Sequence, residues 1–404
     1  MNVITLEEEL AVSEEAAIHA NAEAPLVENV FSVLNQVLEA NFYKPDLQAT
    51  RIVLGTINAH YLNIGDPAWL FVVAPPGSGK TTTSIMGACG LPEVISLSEF
   101  SENTFLSGFY GHHEPGVLER VGKTSQDGNT YTTRGNAIFM AKDFTTVLSM
   151  RRETRGMILA QLREIHDGSF RRSFGTGVTK VWHGRVTIIA AVTPVLDRHY
   201  GIFNVLGERF LQLRWHRPDS PEAGEWAINQ QGQEEEIRAE LGKTVKGIFD
   251  SASKTVPTLP PEMRVRIARL AEVVALGRTH VYRSGYGSRE IEYVPEPEAN
   301  TRVSKGLAAI AKGIAALNRH SEVAEQDLQD ALRVGLDCLP ENRRRLLLAA
   351  VKGQDLASVP LARTIRQREI EELEALSILG EGDRKGKLTE SVEELLAVAA
   401  LRLE

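Results

Sequence analysis

Apolar positions in the first half of the chain form two kinds of run. Segments 26–42 and 46–62 repeat apolar residues at helical spacing, and Asp46 stands where an N-cap belongs. In contrast, "AWLFVVA" (68–74) is a short continuous apolar run that ends at Pro-Pro-Gly, which is typical of a buried parallel strand. Short apolar runs then alternate with helical stretches up to about residue 217. This alternation predicts an α/β domain built on a parallel sheet.

The second half of the chain has a different pattern. It reads as helices almost throughout, apart from a polar, glycine-bearing interruption at 280–300 that is typical of a loop or hairpin. The pattern therefore predicts four parts: a helical lead (1–45), the α/β domain (46–220), a helical region (221–340) and a C-terminal unit (341–404).

Composition and charge narrow the classes of protein that fit. The chain has 404 residues, of which 43% are hydrophobic and 24% are charged, and these fractions are ordinary for a globular protein. Its two cysteines are too few for a disulfide framework. The N-terminus lacks the basic start and apolar run of a signal peptide, and no run approaches the ~20 apolar residues of a membrane span. We therefore expect a cytoplasmic protein with no membrane partner. Because the net charge is −8, any contact with nucleic acid must come from local basic clusters.

The segment "APPGSGKT" (74–81) lies between the first predicted strand and a helical stretch. Glycines let backbone N–H groups turn toward phosphate oxygens, and the N-terminus of the following helix adds a favourable dipole. Lys80 would reach the terminal phosphates, and the Thr81 hydroxyl would bind Mg²⁺. The sequence therefore predicts a site for ATP and Mg²⁺, formed by Pro76, Gly77, Ser78, Gly79, Lys80, Thr81 and Thr82.

A second buried strand, "AIFMA" (137–141), is followed by Lys142, Asp143 and Phe144. An ATPase strand of this kind usually ends in two acids, which divide the metal and base work between them. Here a single carboxylate is present, and Lys142 beside a triphosphate could supply charge that the metal would otherwise give. Asp143 is then the Mg²⁺ partner, the base, or only the cap of a strand that is ordinary core. ATP binding is consequently a safer prediction than fast hydrolysis.

The order of the remaining segments carries a resemblance to a known family. A predicted helix (155–170) is followed by two short strands around a Gly-Thr-Gly turn (175–177), by a buried strand that ends at Thr193, and by "GERF" (207–210). This order resembles the AAA+ ATPases with a hairpin just before the sensor strand, a clade that includes minichromosome maintenance helicases, magnesium chelatases and enhancer-binding activators. The resemblance covers roughly residues 50–340. It implies an AAA+ P-loop ATPase core, an α-helical lid in the helical region, and a homo-oligomeric ring with six subunits as the expected number.

The resemblance also implies roles for single residues. Thr193 would orient the attacking water as the first sensor, where the family usually has Asn. Arg209 matches the arginine that a neighbouring subunit inserts toward the γ-phosphate. Arg302, in "TRVSKGL" (301–307), matches the second sensor, which touches the nucleotide from the lid. Arginine suits both positions because its planar, permanently charged fork donates to phosphate oxygens.

Within the resemblance, two roles stay open for Asp143. Aligned on the helicase pattern Asp-Glu-Phe, Asp143 takes the place of the base and Lys142 that of the Mg²⁺-associated acid. If the first acid after the strand instead handles the metal, Asp143 is the Mg²⁺ partner and the base is missing.

The hairpin that precedes the strand ending at Thr193 is the first candidate for contact with nucleic acid. It carries Arg171, Arg172 and Lys180. In ring-shaped relatives this hairpin points into the central channel, where cations grip phosphates without reading sequence. The alternative is that these charges only solvate an exposed hairpin.

The C-terminal unit is the second candidate, because its pattern resembles a winged helix-turn-helix. Three glutamates on the predicted recognition helix, Glu369, Glu371 and Glu372, would repel phosphates and count against tight DNA binding. Docking of a protein partner is the alternative role. The cations that would face DNA are Arg363, Arg366 and Arg368 on the helix, with Arg384, Lys385 and Lys387 on the wing.

Together these features predict an ATP-driven, ring-forming motor that acts on DNA, similar to helicases or helicase loaders of phages and mobile elements. The alternative is an ATP-switched protein remodeller or assembly scaffold with slow hydrolysis, whose C-terminal unit docks a protein partner. An enhancer-binding activator fits less well, because such proteins carry a Gly-Ala-Phe-Thr-Gly-Ala motif and the nearest segment here is "LSGFYGHH" (106–113).

Overall fold

The structure is a computed structural model, which describes residues 30–78, 90–107, 115–199, 209–216, 220–285 and 290–399. A parallel sheet surrounded by helices forms its centre. The strands in this part are β1 (Trp69–Val73), β2 (Val94–Leu97), β3 (Lys123–Asp127), β4 (Thr130–Arg134), β5 (Ala137–Ala141), β6 (Ser169–Ser173), β7 (Thr179–His183), β8 (Val186–Val192), β9 (Phe210–Arg214), β10 (Tyr282–Arg283) and β11 (Ile291–Tyr293).

Helices precede, connect and follow these strands. Among the described residues, none of them combines the length and the apolar composition needed to cross a membrane. They are α1 (Ser32–Asn41), α2 (Leu47–Tyr61), α3 (Thr145–Ser149), α4 (Arg152–His166), α5 (Pro221–Asn229), α6 (Glu234–Ser251), α7 (Pro261–Gly277), α8 (Thr301–Leu317), α9 (Glu325–Asp337), α10 (Glu341–Val351), α11 (Arg363–Ala375) and α12 (Glu390–Ala399).

The central sheet has the strand order β2-β5-β8-β1-β9, and every neighbouring pair is parallel. The predicted α/β class with a parallel sheet is therefore confirmed. Strands β1, β5 and β8 are buried at every position, which explains why their sequences are continuous apolar runs. Because the strands are parallel, all five carboxyl ends lie at one edge of the sheet and all five amino ends at the other.

Alternate residues of each strand pack into the two layers that cover the sheet. Leu70 and Val72 of β1 join the larger apolar core, which also contains residues of α1, α2 and the helices after β9. Trp69 and Phe71 face the opposite layer, where Phe71 stacks on Phe210 with 3.9 Å between ring centroids. The helices that follow β9 thus share one core with the sheet.

A second sheet, ordered β3-β4-β7-β6, contains two antiparallel hairpins that pair in parallel through β4 and β7. The hairpin predicted around residues 175–177 is confirmed as β6–β7, with Gly177 at a φ of +79°. The β3–β4 hairpin was not predicted. Its two-residue turn is Gly128-Asn129, with Gly128 at +55°, a local hairpin signal in a segment without an apolar alternation.

Helix α2 begins where the sequence indicated. The Asp46 carboxylate accepts a hydrogen bond from the Ala49 N–H at 2.9 Å, so the predicted N-cap is confirmed. The same carboxylate pairs with Arg333 of α9 at 2.6 Å, and Arg51 pairs with Asp330 at 2.9 Å. These ion pairs attach α9 to α2.

The C-terminal unit has less regular secondary structure than the predicted winged helix-turn-helix would have. Between α10 and α11, where a helix-turn-helix has its second helix, the described chain forms a 3-10 turn at Leu356–Ser358. An isolated antiparallel bridge joins Leu379 to Leu388, where a wing was expected. Helix α12 packs against α7. The winged helix therefore stays a prediction.

Helices α2 and α8 approach each other closely at two glycines. A Cβ at Gly313 would lie 2.0 Å from the backbone oxygen of Gly55, and Asn58 Nδ2 donates to the Gly313 oxygen at 3.0 Å. The two backbones can approach this closely only because neither position carries a side chain.

We expect Gly313→Ala to destabilise the protein by about 2 kcal/mol, because the new methyl group forces the two helices apart. Gly247→Ala on α6 is the matched control, since nothing lies within 4 Å of its added Cβ. The control should be neutral or stabilising by up to ~1 kcal/mol, from helix propensity alone. Urea unfolding of both variants measures the difference. Equal midpoints would contradict the close contact.

Candidate functional site

The first part of the site is the loop that follows β1. The Ala74 N–H donates to Val192 O of β8 at 3.0 Å, and the Trp215 N–H, after β9, donates to Val73 O at 2.9 Å. The start of the loop is thus held between both neighbouring strands. Gly77 has a φ of +73°, which favours glycine.

Three of the seven predicted phosphate-loop residues, Pro76, Gly77 and Ser78, belong to this described part of the loop. The other four lie outside the described residues: Gly79, Lys80, Thr81 and Thr82.

Asp143 follows β5 at the same edge of the sheet. The Phe144 ring is fully buried among Phe71, Phe100 and Phe210, while Lys142 and Asp143 before it are exposed. The buried ring of Phe144 thus fixes the position at which Asp143 reaches the surface. Asp143 Oδ1 accepts a hydrogen bond from the Thr145 N–H at 2.8 Å, at the start of α3. This contact leaves the metal and base roles of Asp143 open as predictions.

Thr145 joins Asp143 to Thr193. Its Oγ1 accepts a hydrogen bond from the Thr193 N–H at 3.1 Å and donates to Thr193 Oγ1 at 3.4 Å. β8 lies between β1 and β5, so the ends of these three strands span about 10 Å. The sequence analysis missed Thr145, although a hydroxyl two residues after the acid was a visible signal.

A second polar group lies at the opposite edge of the sheet. Residues at the amino ends of β1 and β9, the end of α4 and the start of α8 line one pocket, which contains Asp66, His166, Arg209, Arg302 and Lys305. Since β1 is five residues long, this pocket is about 16 Å from the start of the phosphate loop. The structure therefore places Arg209 and Arg302 together, and brings neither to the described start of the phosphate loop of its own chain.

Charge in this pocket is partly balanced. Arg209 donates to both carboxylate oxygens of Asp167, at 3.2 and 3.1 Å. A hydrogen bond from Lys305 lowers the pKa of Asp66. Burial lowers the pKa of His166, and the charge of Arg209 acts in the same direction. Arg278 also lines this pocket, and it pairs with Glu298.

The hairpin cations have different surroundings. Lys180 is buried, and its Nζ donates at 2.6 Å both to Glu119 Oε2 and to the Ser107 oxygen. Arg172 donates to the backbone oxygens of residues 102 and 106. Of the three cations predicted on this hairpin, Arg171 is the exposed one. Glu119, 61 positions before Lys180, had no signal in the local sequence.

The glutamates of α11 are paired within the chain. Glu372 is buried and accepts from Arg343 at 2.7 Å and from Arg283 at 2.8 Å, and Arg283 also pairs with Glu371 at 3.1 Å. Glu369 lies 3.4 Å from Arg343. The repulsion of phosphates expected from these three carboxylates is therefore largely compensated.

The cations of the C-terminal unit that were predicted to contact DNA differ in exposure and in their partners. Arg363 is exposed, and Arg368 remains half exposed while it pairs with Glu372. Arg366 donates to the backbone oxygens of residues 359 and 361. On the expected wing, Arg384 pairs with Glu390 and Glu393, whereas Lys385 and Lys387 are exposed.

No protein-family model and no curated protein matches this chain.

We expect Lys180→Met to destabilise the protein by about 3–5 kcal/mol, because it leaves the Glu119 carboxylate buried without its partner. Arg171→Met, on the neighbouring strand of the same hairpin, is the control. It should change the free energy of unfolding by less than about 0.5 kcal/mol, since Arg171 is exposed. Chemical unfolding of the two variants gives both values. A Lys180→Met variant as stable as the control would show that the cation is not part of the fold.

Proposed function

We propose that this protein is an ATP-hydrolysing P-loop ATPase of the AAA+ type, which assembles as a ring and acts on DNA. The observation that supports this best is the separation of polar groups between the two edges of one sheet. Carboxylate and hydroxyl oxygens lie at the carboxyl edge beside the glycine-bearing loop, and Arg209 and Arg302 lie at the amino edge. Copies arranged head to tail would bring the two sets together, and repeated head-to-tail contacts close into a ring.

The carboxyl edge would bind the nucleotide. Backbone N–H groups of the loop and Lys80 would bind the terminal phosphates of ATP. The Thr81 hydroxyl and the Asp143 carboxylate are oxygen ligands of the kind that Mg²⁺ prefers. When bound, Mg²⁺ would neutralise charge on the transferred phosphoryl group. Thr193, fixed by Thr145, would orient the attacking water between the loop and Asp143.

The amino edge would complete the site of the next subunit. Arg209 and Arg302 share a pocket about 16 Å from the phosphate loop of their own chain, so both would act in trans. This differs from the expectation that Arg302 touches the nucleotide from the lid. Arg209 would exchange its pair with Asp167 for the more highly charged γ-phosphate.

Contact with DNA would come from the exposed cations rather than from the whole basic set. Arg363, Arg368, Lys385 and Lys387 belong to one C-terminal unit, in which three of the four acids of α11 already have partners. Arg171 would add a contact from the hairpin. Such contacts position a phosphate backbone and do not read its sequence.

Docking of a protein partner through the C-terminal unit is the second candidate function. Ile365, on the same helix as Arg363 and Arg368, is 44% exposed. An exposed branched apolar residue between cations fits a protein surface better than a phosphate backbone.

A mixing experiment tests the proposed division between edges. Lys80→Ala subunits should lose ATP binding and Arg209→Ala subunits should lose turnover, by ~10³-fold if the arginine acts as it does in other phosphoryl-transfer enzymes. Mixed in equal amounts, they should recover turnover at interfaces that join an intact Lys80 site to an intact Arg209. The measurement is phosphate release from the mixture and from each variant alone.

The mixture needs a control in which no interface can be intact. Subunits that carry both changes, mixed with Lys80→Ala subunits, cannot form an intact interface and should remain inactive. Turnover in the first mixture no greater than the sum of its parts would exclude the trans role of Arg209.

Asp143→Asn should block hydrolysis while ATP still binds, because an amide keeps the shape of the side chain but loses the carboxylate charge. If Asp143 holds the metal, ATP affinity should also fall and require more Mg²⁺. ATP affinity across a Mg²⁺ series, with turnover measured in the same samples, separates the two roles. Wild-type turnover in the variant would remove Asp143 from the mechanism.

Replacing Arg363 and Arg368 with Ala should weaken DNA binding evenly across sequences and flatten its salt dependence by up to about 0.9 per lost phosphate contact on duplex. Ala replacements of Arg238 and Lys243, exposed on α6, remove the same charge elsewhere and should leave the slope unchanged. Affinities at four or more salt concentrations give the slopes. An unchanged slope with intact binding would instead favour the role in docking a protein.

A further inference from the structure

Arg214, the last residue of β9, lies where three parts of the molecule meet. Its backbone N–H donates to the Asp337 carboxylate at 2.9 Å, and its side chain is 11% exposed. The strand ends at the carboxyl edge, beside β1 and the phosphate loop. A permanently charged, nearly buried fork at this position requires several partners.

The first partner belongs to the turn that contains the expected water-orienting residue. Arg214 Nη1 and Nη2 donate to the two carboxylate oxygens of Asp197, at 3.0 and 2.8 Å. Asp197 lies in the 3-10 helix Pro194–His199, which starts directly after Thr193. The Thr193 oxygen accepts from the Leu196 N–H at 3.0 Å, so Thr193 and Asp197 belong to one rigid turn.

The other partners lie where the helical region ends and the C-terminal unit begins. Arg214 Nε donates to the Asp337 backbone oxygen at 3.1 Å, and Nη2 donates to the Leu339 oxygen at 2.7 Å. Glu341, the first residue of α10, lies 3.6 Å from Nε. Burial opposes the charged form, but the hydrogen bonds of Asp197 and the charges of Glu341 and Asp337 together raise the pKa of Arg214.

We propose that Arg214 is a positioning residue that couples the state of the phosphate site at Thr193 to the orientation of α10 and the C-terminal unit. A shift of the turn that carries Thr193 moves Asp197, and the bidentate pair transmits that shift to Arg214. The same guanidinium holds the backbone between α9 and α10, so the junction must follow or lose hydrogen bonds. This inference rests on the proposed binding of ATP at the carboxyl edge.

The test uses the full-length protein and a non-hydrolysable ATP analogue with Mg²⁺. Amide hydrogen exchange in α10 is measured with and without the analogue, and affinity for the analogue is measured separately for every protein. Arg214→Lys keeps the charge, but a single ammonium cannot reproduce the bidentate pair and the backbone contacts together. Asp197→Asn weakens only the contact between Arg214 and the turn, and it leaves the bonds of Arg214 to Asp337 and Leu339 in place. It therefore tests the coupling even if Arg214→Lys does not fold.

In the wild type, we expect the analogue to change exchange in α10 by about fivefold or more, the lower end of typical coupling between sites. Both variants should bind the analogue with nearly wild-type affinity and lose this change. Arg345→Lys is the control, because Arg345 pairs with Glu341 on α10 without contact to Asp197, and it should keep the response.

Two results would overturn the inference while the proposed function stands: exchange in α10 that does not respond in a wild type that binds the analogue, or a response that persists in both variants. Absence of binding to the wild type would refute the proposed function itself, and the inference with it.

Discussion

The parallel alignment of the five central strands is the constraint on which the rest of the structure depends. Parallel strands place every carboxyl end at one edge, so the loop after β1, Asp143 after β5 and Thr193 after β8 become neighbours although they are far apart in sequence. The same alignment places Arg209 and Arg302 at the amino edge. One geometrical rule thus separates the glycine-bearing loop, Asp143 and Thr193 from Arg209 and Arg302 within a chain.

The helices that follow β9 pack onto the same sheet. The glycine contact between α2 and α8 and the ion pairs between α2 and α9 place these helices in the same core as the strands. A movable lid would need an interface with few contacts. Here the residues expected to form one are joined to the sheet, so changes at the carboxyl edge would pass through specific polar contacts such as those of Arg214.

Local features were predictable from the sequence because their causes are local. The continuous apolar runs identified β1, β5 and β8, Asp46 was recognisable as an N-cap, and the Gly-Thr-Gly turn indicated the β6–β7 hairpin. Each depends on residues within a few positions of one another, where periodicity, capping and turn geometry dominate.

The features that were missed depend on partners distant in sequence. Lys180 is buried because Glu119 lies beside it, and the acids of α11 are compensated because Arg283 and Arg343 reach them. Arg302 lies beside Arg209 because α8 packs along α2. Charge alone cannot distinguish a solvated cation from a buried one, so a basic cluster in sequence overstates the surface available to DNA.

The most direct test of a site completed by a neighbouring subunit is the specific ATPase activity as a function of protein concentration, with the mass of the particle measured by light scattering in the same samples. The account predicts that activity per subunit rises with concentration, in parallel with assembly, and reaches a plateau when the particles are fully formed. Activity per subunit that is constant down to concentrations where only single chains remain would contradict it, since each chain would then hold a complete site.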